Sequence, residues 1–166
     1  MRKRIMRYMA RKLMNLSQIF EEPRIIHAMM KGIIPSYVRD LFIIKKMTKI
    51  SPKTMIDVGG HFGETSKAMN YVFPKAKIYS FEPAPLPYKR LKEETKHISN
   101  IITYNLALGN FNKKCGFWLN EFDSASSLLD SKNKREEIFA VTKNKKKIVV
   151  EMRRMDNIKE IKIERS

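Results

Sequence analysis

A chain of 166 residues with 43 % hydrophobic residues, and 34 Lys/Arg against 17 Asp/Glu for a net charge of +17, has the length for one domain with a real core and is not a disordered tail. A single cysteine, Cys115, excludes a disulfide framework and any cysteine-rich zinc module, and reads as a small buried hydrophobe in a reducing compartment. The basic N-terminus MRKRIMRYMARK is followed by no apolar run long enough for a signal peptide or a membrane span, so a cytoplasmic chain is expected.

The charge divides unevenly. Residues 1–50 carry net +9, residues 51–130 net +2 and residues 131–166 net +6. The basic character belongs to the flanks, and the near-neutral middle argues against a face that grips nucleic acid. Two regions are expected: a basic helical N-terminal extension over 1–50 and a domain over 51–166.

In the extension, Ile5, Met9, Leu13, Leu16 and Phe20 recur at helical spacing, with Arg2, Lys3, Arg4, Arg7, Arg11 and Lys12 around the rest. Such a helix packs on a domain with a solvated basic face, or rests peripherally on an anionic membrane surface. From residue 53 strands and helices alternate. Thr54 to Val58 is a short apolar strand, Glu64 to Phe73 a helix stopped by Pro74, and Lys77 to Phe81 a second strand. After the turn residues Pro83, Pro85 and Pro87, a helix is marked by Tyr88, Leu91, Thr95 and Ile98. Ile101 to Tyr104 is a third strand. This is a βαβαβ half, which predicts parallel strands with a ligand at their carboxyl ends. Further on, Cys115 to Leu119 reads as a returning strand, Asp123 to Ser127 as a polar loop, Lys132 to Ala140 as a helix or charged excursion, and Lys147 to Met152 as one more strand.

The loop after the first strand reads Asp57-Val58-Gly59-Gly60-His61-Phe62-Gly63-Glu64-Thr65. A P-loop needs Lys-Ser/Thr after its last glycine, where Glu64-Thr65 stands, and a dinucleotide fingerprint needs Gly-x-Gly-x-x-Gly, which these glycines do not satisfy. An acid at the strand end followed by spaced glycines fits the S-adenosylmethionine loop, through Asp57, Gly59 and Gly63. The second strand ends in Phe81-Glu82-Pro83, and two carboxylate oxygens match a vicinal ribose diol. The third ends in Asn105-Leu106-Ala107-Leu108-Gly109, a wall for an adenine. The competing reading makes Glu82 a cap and the glycines simple turns.

DVGGHFGETS, YSFEPAP, NLALGN, DSASSLL and VVEMRRMDNI together resemble the FkbM-type methyltransferases over about residues 50–158. The resemblance implies an α/β, Rossmann-like class I methyltransferase sheet, S-adenosylmethionine as methyl donor, and transfer to a hydroxyl of a sugar, glycan or other small metabolite. Carried over by position, Asp57, Gly59 and Gly63, with Gly60 and Glu64 beside them, line the methionine and ribose side. Glu82 holds the ribose, and Asn105, Leu106 and Ala107 face the adenine. Met155-Asp156-Asn157 stands where the family often has Leu-Asp-Asp. The family also continues with a strand of the form Lys-Ile-Asp-Val-Glu-Gly, for which this chain has no candidate, so a C-terminally truncated domain is expected.

Candidates for a base that takes the acceptor's proton are His61 and Asp156, with a backbone-supporting role the competing reading for His61. His27 and His97 read as surface or helix-end residues, and no set of His, Cys, Asp and Glu has metal-ligand spacing. The alternatives in other classes are a basic module binding RNA or an anionic membrane, and an inactive methyltransferase fragment.

Overall fold

The computed structural model describes residues 23–120 and 145–161. The expected helix over Ile5 to Phe20, the polar loop at 123–127 and the Lys132 to Ala140 excursion lie outside the described residues. The chain divides into two compact units between Lys49 and Ile50.

In the first unit, α1 (Pro23–Met30) and α2 (Pro35–Thr48) form a helical pair. Gly32, at φ +69°, turns the chain between them, with the Ile33 amide returning to the Ala28 carbonyl at 3.0 Å. Pro35 opens α2 in the first turn, where a missing N–H costs nothing.

The second unit starts with β1 (Thr54–Val58), α3 (Glu64–Val72), β2 (Lys77–Phe81), α4 (Pro85–Thr95) and β3 (Ile101–Tyr104). The three strands pair in parallel in the order β1-β2-β3, with Ile56 opposite Tyr79 and Phe81 opposite Tyr104. Among the described residues β1 pairs with β2 alone. The αβ boundaries follow local chemistry. Pro74 pushes Phe73 out of helical geometry to φ −127°, so α3 stops one residue before the sequence suggests. Pro85 and Pro87, read from sequence as turn residues, stand inside the first turn of α4, whose amides have no intrahelical partner to lose.

With the order β1-β2-β3 and right-handed crossovers, α3 and α4 lie on one face of the sheet. Lys67 of α3 pairs with Glu94 of α4 at 2.8 Å, and this contact holds the Glu94 carboxyl below its usual range. Strand alternation divides β2 between the two faces. Ser80 reaches Asp57, while Tyr79 and Phe81 pack on the opposite side with Leu106 and Ile158, flanked by Ile56, Ile102, Tyr104 and Ile161. The Phe81 and Tyr104 rings stack at 5.0 Å between centroids. The Tyr79 hydroxyl donates to the Glu160 carbonyl at 3.3 Å, tying the 158–161 segment to that face.

A second sheet follows. β4 (Ala107–Leu108), not foreseen as a strand, comes two residues after β3 and pairs in parallel with β6 (Lys145–Arg153), whose other edge takes β5 (Lys113–Asn120) antiparallel. Phe117, Val150 and Met152 point inward with Ala84 and Ala107, packed by Cys115, Leu119 and Ile148. Cys115 is therefore a packing residue, half-buried. Among the described residues no helix is long and apolar enough to cross a membrane.

Candidate functional site

The β1–α3 loop, the end of β2 and the segment after β3 converge at the carboxyl ends of the parallel strands. Gly59 and Gly60 both donate their amides to the Phe81 carbonyl, at 2.8 and 2.9 Å, which fastens the loop to the end of β2. Gly59 adopts φ +83°, and a β-carbon placed there would meet nothing within 4 Å. Gly59 and the 64 % exposed Val58 therefore form the open side of the loop.

The other two glycines face protein. A β-carbon on Gly60 would stand 2.1 Å from the Ser80 Oγ, and one on Gly63, itself at φ +89°, would meet Leu91 and Thr95 at 3.1 Å. Their absence of a side chain lets the loop seat against β2 and α4. The structure therefore gives Gly60 and Gly63 close contacts with protein, and gives Gly59 alone an open face.

Asp57 is also turned inward. Its carboxylate is 5 % exposed, and its Oδ2 accepts from the Ser66 Oγ at 2.5 Å and the Ser80 Oγ at 3.2 Å. Burial pushes its carboxyl above the usual range, with the two serine hydroxyls pulling the other way. One acid thus ties β1 to β2 and to the first turns of α3. The sequence reading put Asp57 on the cofactor side and missed Ser66 and Ser80. The signal for Ser80 was a hydroxyl inside the apolar strand KIYSF, since a buried polar group needs a partner.

Glu82 is held at every polar group. Its amide donates to the Tyr104 carbonyl at 3.0 Å and its carbonyl accepts from the Asn105 amide nitrogen at 2.8 Å. Its Oε2 accepts the His61 backbone N–H at 2.9 Å, and its Oε1 accepts the Ala84 N–H at 2.8 Å. Asn105 also donates to the Pro83 carbonyl at 3.1 Å. The bond to Ala84, which precedes α4, is local, two residues along the chain, and reaches none of the helix's own amides. The bond to His61, from 21 residues away, aims the same carboxylate across the glycine loop.

His61 is the strained member of the loop. It is non-glycine at φ +47°, its Nδ1 lies 3.6 Å from Glu64 Oε2, and its buried Nε2 has no hydrogen-bond partner. Its ring lies on Phe62 at 3.7 Å, and the Arg90 guanidinium sits 4.1 Å from the Phe62 ring centre. Glu64 Oε2 accepts the Phe62 N–H at 3.2 Å, bracing the start of α3.

The remaining predicted residues are spread more widely. Leu106 and Ala107, expected to face an adenine, have their side chains in the two apolar clusters. Asp156 stands on an exposed turn (Met155–Asn157), its carboxylate gripped by Arg154 at 2.6 and 3.0 Å. That bonding holds the Asp156 carboxyl below its usual range, the wrong direction for a base. His27 and His97 are exposed.

The methyltransferase FkbM domain matches residues 57–166, from Asp57 through the strands, the loop and Glu82. The chain belongs to the FkbM methyltransferase domain family. No curated protein matches it. Solved structures similar to it include precorrin-6y C5,15-methyltransferase from Geobacter metallireducens GS-15, at 14 % identity over 35 % of this chain and 40 % of that one, with a TM-score of 0.31. Coclaurine N-methyltransferase bound to N-methylheliamine and SAH is similar at 10 % identity over 47 % and 28 %, TM-score 0.37. The fibrillarin/Nop5p complex is similar at 14 % identity over 55 % and 58 %, TM-score 0.33. The FkbM chain thus spans between 28 % and 58 % of the length of these structures. Its own β1-β2-β3 order with the intervening helices is the Rossmann-like half expected from its sequence.

Proposed function

We propose that this FkbM domain binds S-adenosylmethionine at the carboxyl ends of β1 and β2 and serves methyl transfer to a hydroxyl oxygen of a sugar, glycan or other small metabolite. The observation that carries the reading is the Glu82 carboxylate, 6 % exposed and fixed through both oxygens by the His61 and Ala84 amides, in a member of a methyltransferase family. A carboxylate offers about four acceptor sites, so one that holds two backbone amides retains the capacity for a ribose diol. The residues fit the cofactor: Gly59 gives an open backbone approach, and Glu82 is oriented before any ligand arrives.

When bound, the cofactor supplies an electrophilic methyl group. The chain's own part is positional. Glu82 orients the sugar end, Gly59 admits the ligand against the backbone, and Asp57 with Ser66 and Ser80 keeps the loop from drifting off β2. Among the two base candidates, Asp156 is committed to Arg154, which leaves His61, with its partnerless Nε2, as the imidazole nearest the glycines.

Calorimetry with S-adenosylhomocysteine tests the reading. Binding is expected, and Glu82→Gln should weaken it by on the order of tenfold or more, because a neutral amide accepts through one oxygen only. A folded chain that does not bind, or binds equally well as Glu82→Gln, overturns the site assignment.

A further inference from the structure

The hydrogen-bond ladder between β2 and β3 stops at Glu82. Its last rung is the Glu82 N–H, which donates to the Tyr104 carbonyl at 3.0 Å, and the next residue, Pro83, has no N–H to continue it. The two chains then part, one into α4 and the other into β4. The carbonyls of Glu82 and Pro83 still call for donors, since an unpaired backbone acceptor is costly wherever water is excluded. Asn105 serves both. Its Nδ2 donates to the Glu82 carbonyl at 2.8 Å and to the Pro83 carbonyl at 3.1 Å.

A side-chain amide has two N–H groups, and here both are engaged by backbone, which fixes the sense of the Asn105 amide. The side chain does, from the end of β3, what a further rung of the ladder would do. The segment it holds is short and closed. The Glu82 Oε1 takes the Ala84 N–H at 2.8 Å, and its Oε2 takes the His61 N–H at 2.9 Å. A shift of the backbone at 82–83 therefore moves the carboxylate, and with it the bond to the glycine loop. Asn105 itself is exposed, so its substitution opens no cavity in the core.

We infer that Asn105 is a positioning residue: by holding the Glu82 and Pro83 carbonyls it sets where the Glu82 carboxylate meets the ribose of the cofactor, and it acts through Glu82 rather than by touching the adenine. For the identity of the ligand this rests on the S-adenosylmethionine reading above; for the clamp it rests on the hydrogen bonds alone. The two roles use different atoms. The clamp uses the hydrogens of Nδ2, whereas a contact to the adenine amino group, itself a donor, would use Oδ1. Asn105→Asp separates them. It keeps an acceptor oxygen in a side chain of the same shape, removes both N–H groups, and sets a carboxylate against two carbonyl oxygens.

Amide hydrogen exchange on the unliganded full chain tests the clamp. In Asn105→Asp the His61 and Ala84 amides should exchange about five- to tenfold faster than in the wild type, the scale of one lost hydrogen bond. The Lys67 and Phe73 amides, bonded to the Gly63 and Met69 carbonyls along α3, should keep their rates. No change at His61 and Ala84, or an equal rise at Lys67 and Phe73, overturns the clamp. Calorimetry with S-adenosylhomocysteine tests its consequence. Asn105→Asp should bind about five- to tenfold more weakly, whereas a residue that only met the adenine would lose nothing. Unchanged affinity overturns the positioning role. In the Glu82→Gln background the same substitution should cost less than about twofold more, because the carboxylate it positions is already gone. A full additional loss there shows that the two residues act separately, and overturns the role as well. A folded wild type that does not bind removes the cofactor reading instead, and the exchange rates still decide whether Asn105 holds Glu82.

Discussion

The two sheets of the FkbM domain use their polar residues in opposite ways. In the parallel sheet, Asp57, Ser66, Ser80 and Glu82 are all buried and each is hydrogen bonded to a neighbour on another element. In the β5–β6 ribbon, Lys113, Lys114, Lys146, Lys147 and Arg153 stand exposed, and only the apolar inner face is packed. Lys147 lays its stem over Gly116 and points its ammonium at the Trp118 ring, 5.4 Å from its centre, as an amphipathic side chain at a surface does. The first region sets a shape that cannot relax without breaking a buried bond. The second presents its charge on exposed side chains whose contacts lie at the surface. Substitutions of the same size should therefore cost very different amounts in the two places.

The largest effect is expected at Gly60. A β-carbon there stands 2.1 Å from the Ser80 Oγ, and Ser80 cannot swing aside without leaving Asp57. Gly60→Ala should cost roughly 2–3 kcal/mol, the upper part of the overpacking range. The loop that carries the His61 amide to Glu82 shifts with it, so S-adenosylhomocysteine affinity should fall too. Urea denaturation and calorimetry on one sample check both. Stability unchanged within about 0.5 kcal/mol would mean that the Asp57 cluster yields, and the contrast between the sheets would fail.

Asp57 sharpens the same contrast through pH. Its native carboxyl is raised by burial above the unfolded one, so the native state keeps the proton to higher pH. The stability this group contributes is fully present below the unfolded carboxyl pKa and is lost as pH rises through the raised native value. Asp57→Asn has no such titration. The stability of the wild type minus that of Asp57→Asn should fall as pH rises out of the ordinary carboxylate range, measured by urea denaturation across a pH series. A difference that grows with pH would show that the serine hydroxyls outweigh burial.

These particulars mark what the sequence could tell. The βαβαβ half was legible because each strand is a short apolar run and each helix has a stop, with β2 and β3 matching residue for residue. Glu82 stood out as an acid closing an apolar strand, but its bonds to the His61 and Ala84 amides were not legible. The inward directions of Asp57, Gly60 and Gly63 were not legible. Whether a residue at a strand end faces a ligand or a neighbouring helix depends on β2 and α4, whose Ser80, Leu91 and Thr95 arrive from 20 to 32 residues away. Pairing of β4 with β6 joins residues 45 positions apart, through a register that two residues of strand cannot announce.

The smallest effect is expected at Gly109, which repeats the Gly60 experiment in the other sheet. A β-carbon there would stand 2.3 Å from the Met152 Sδ and 2.9 Å from its Cγ, nearly the overlap found at Gly60. The obstacle differs in kind. Met152 has three rotatable bonds, no hydrogen bond to keep, and an open cleft beside it as a place to go. Gly109→Ala should therefore cost under about 1 kcal/mol, with the thioether turning aside rather than the backbone moving. It should leave S-adenosylhomocysteine binding alone, since no bond to Glu82 passes through it. If Gly109→Ala costs as much as Gly60→Ala, the ribbon is as tightly determined as the parallel sheet, and the division of labour between them is wrong.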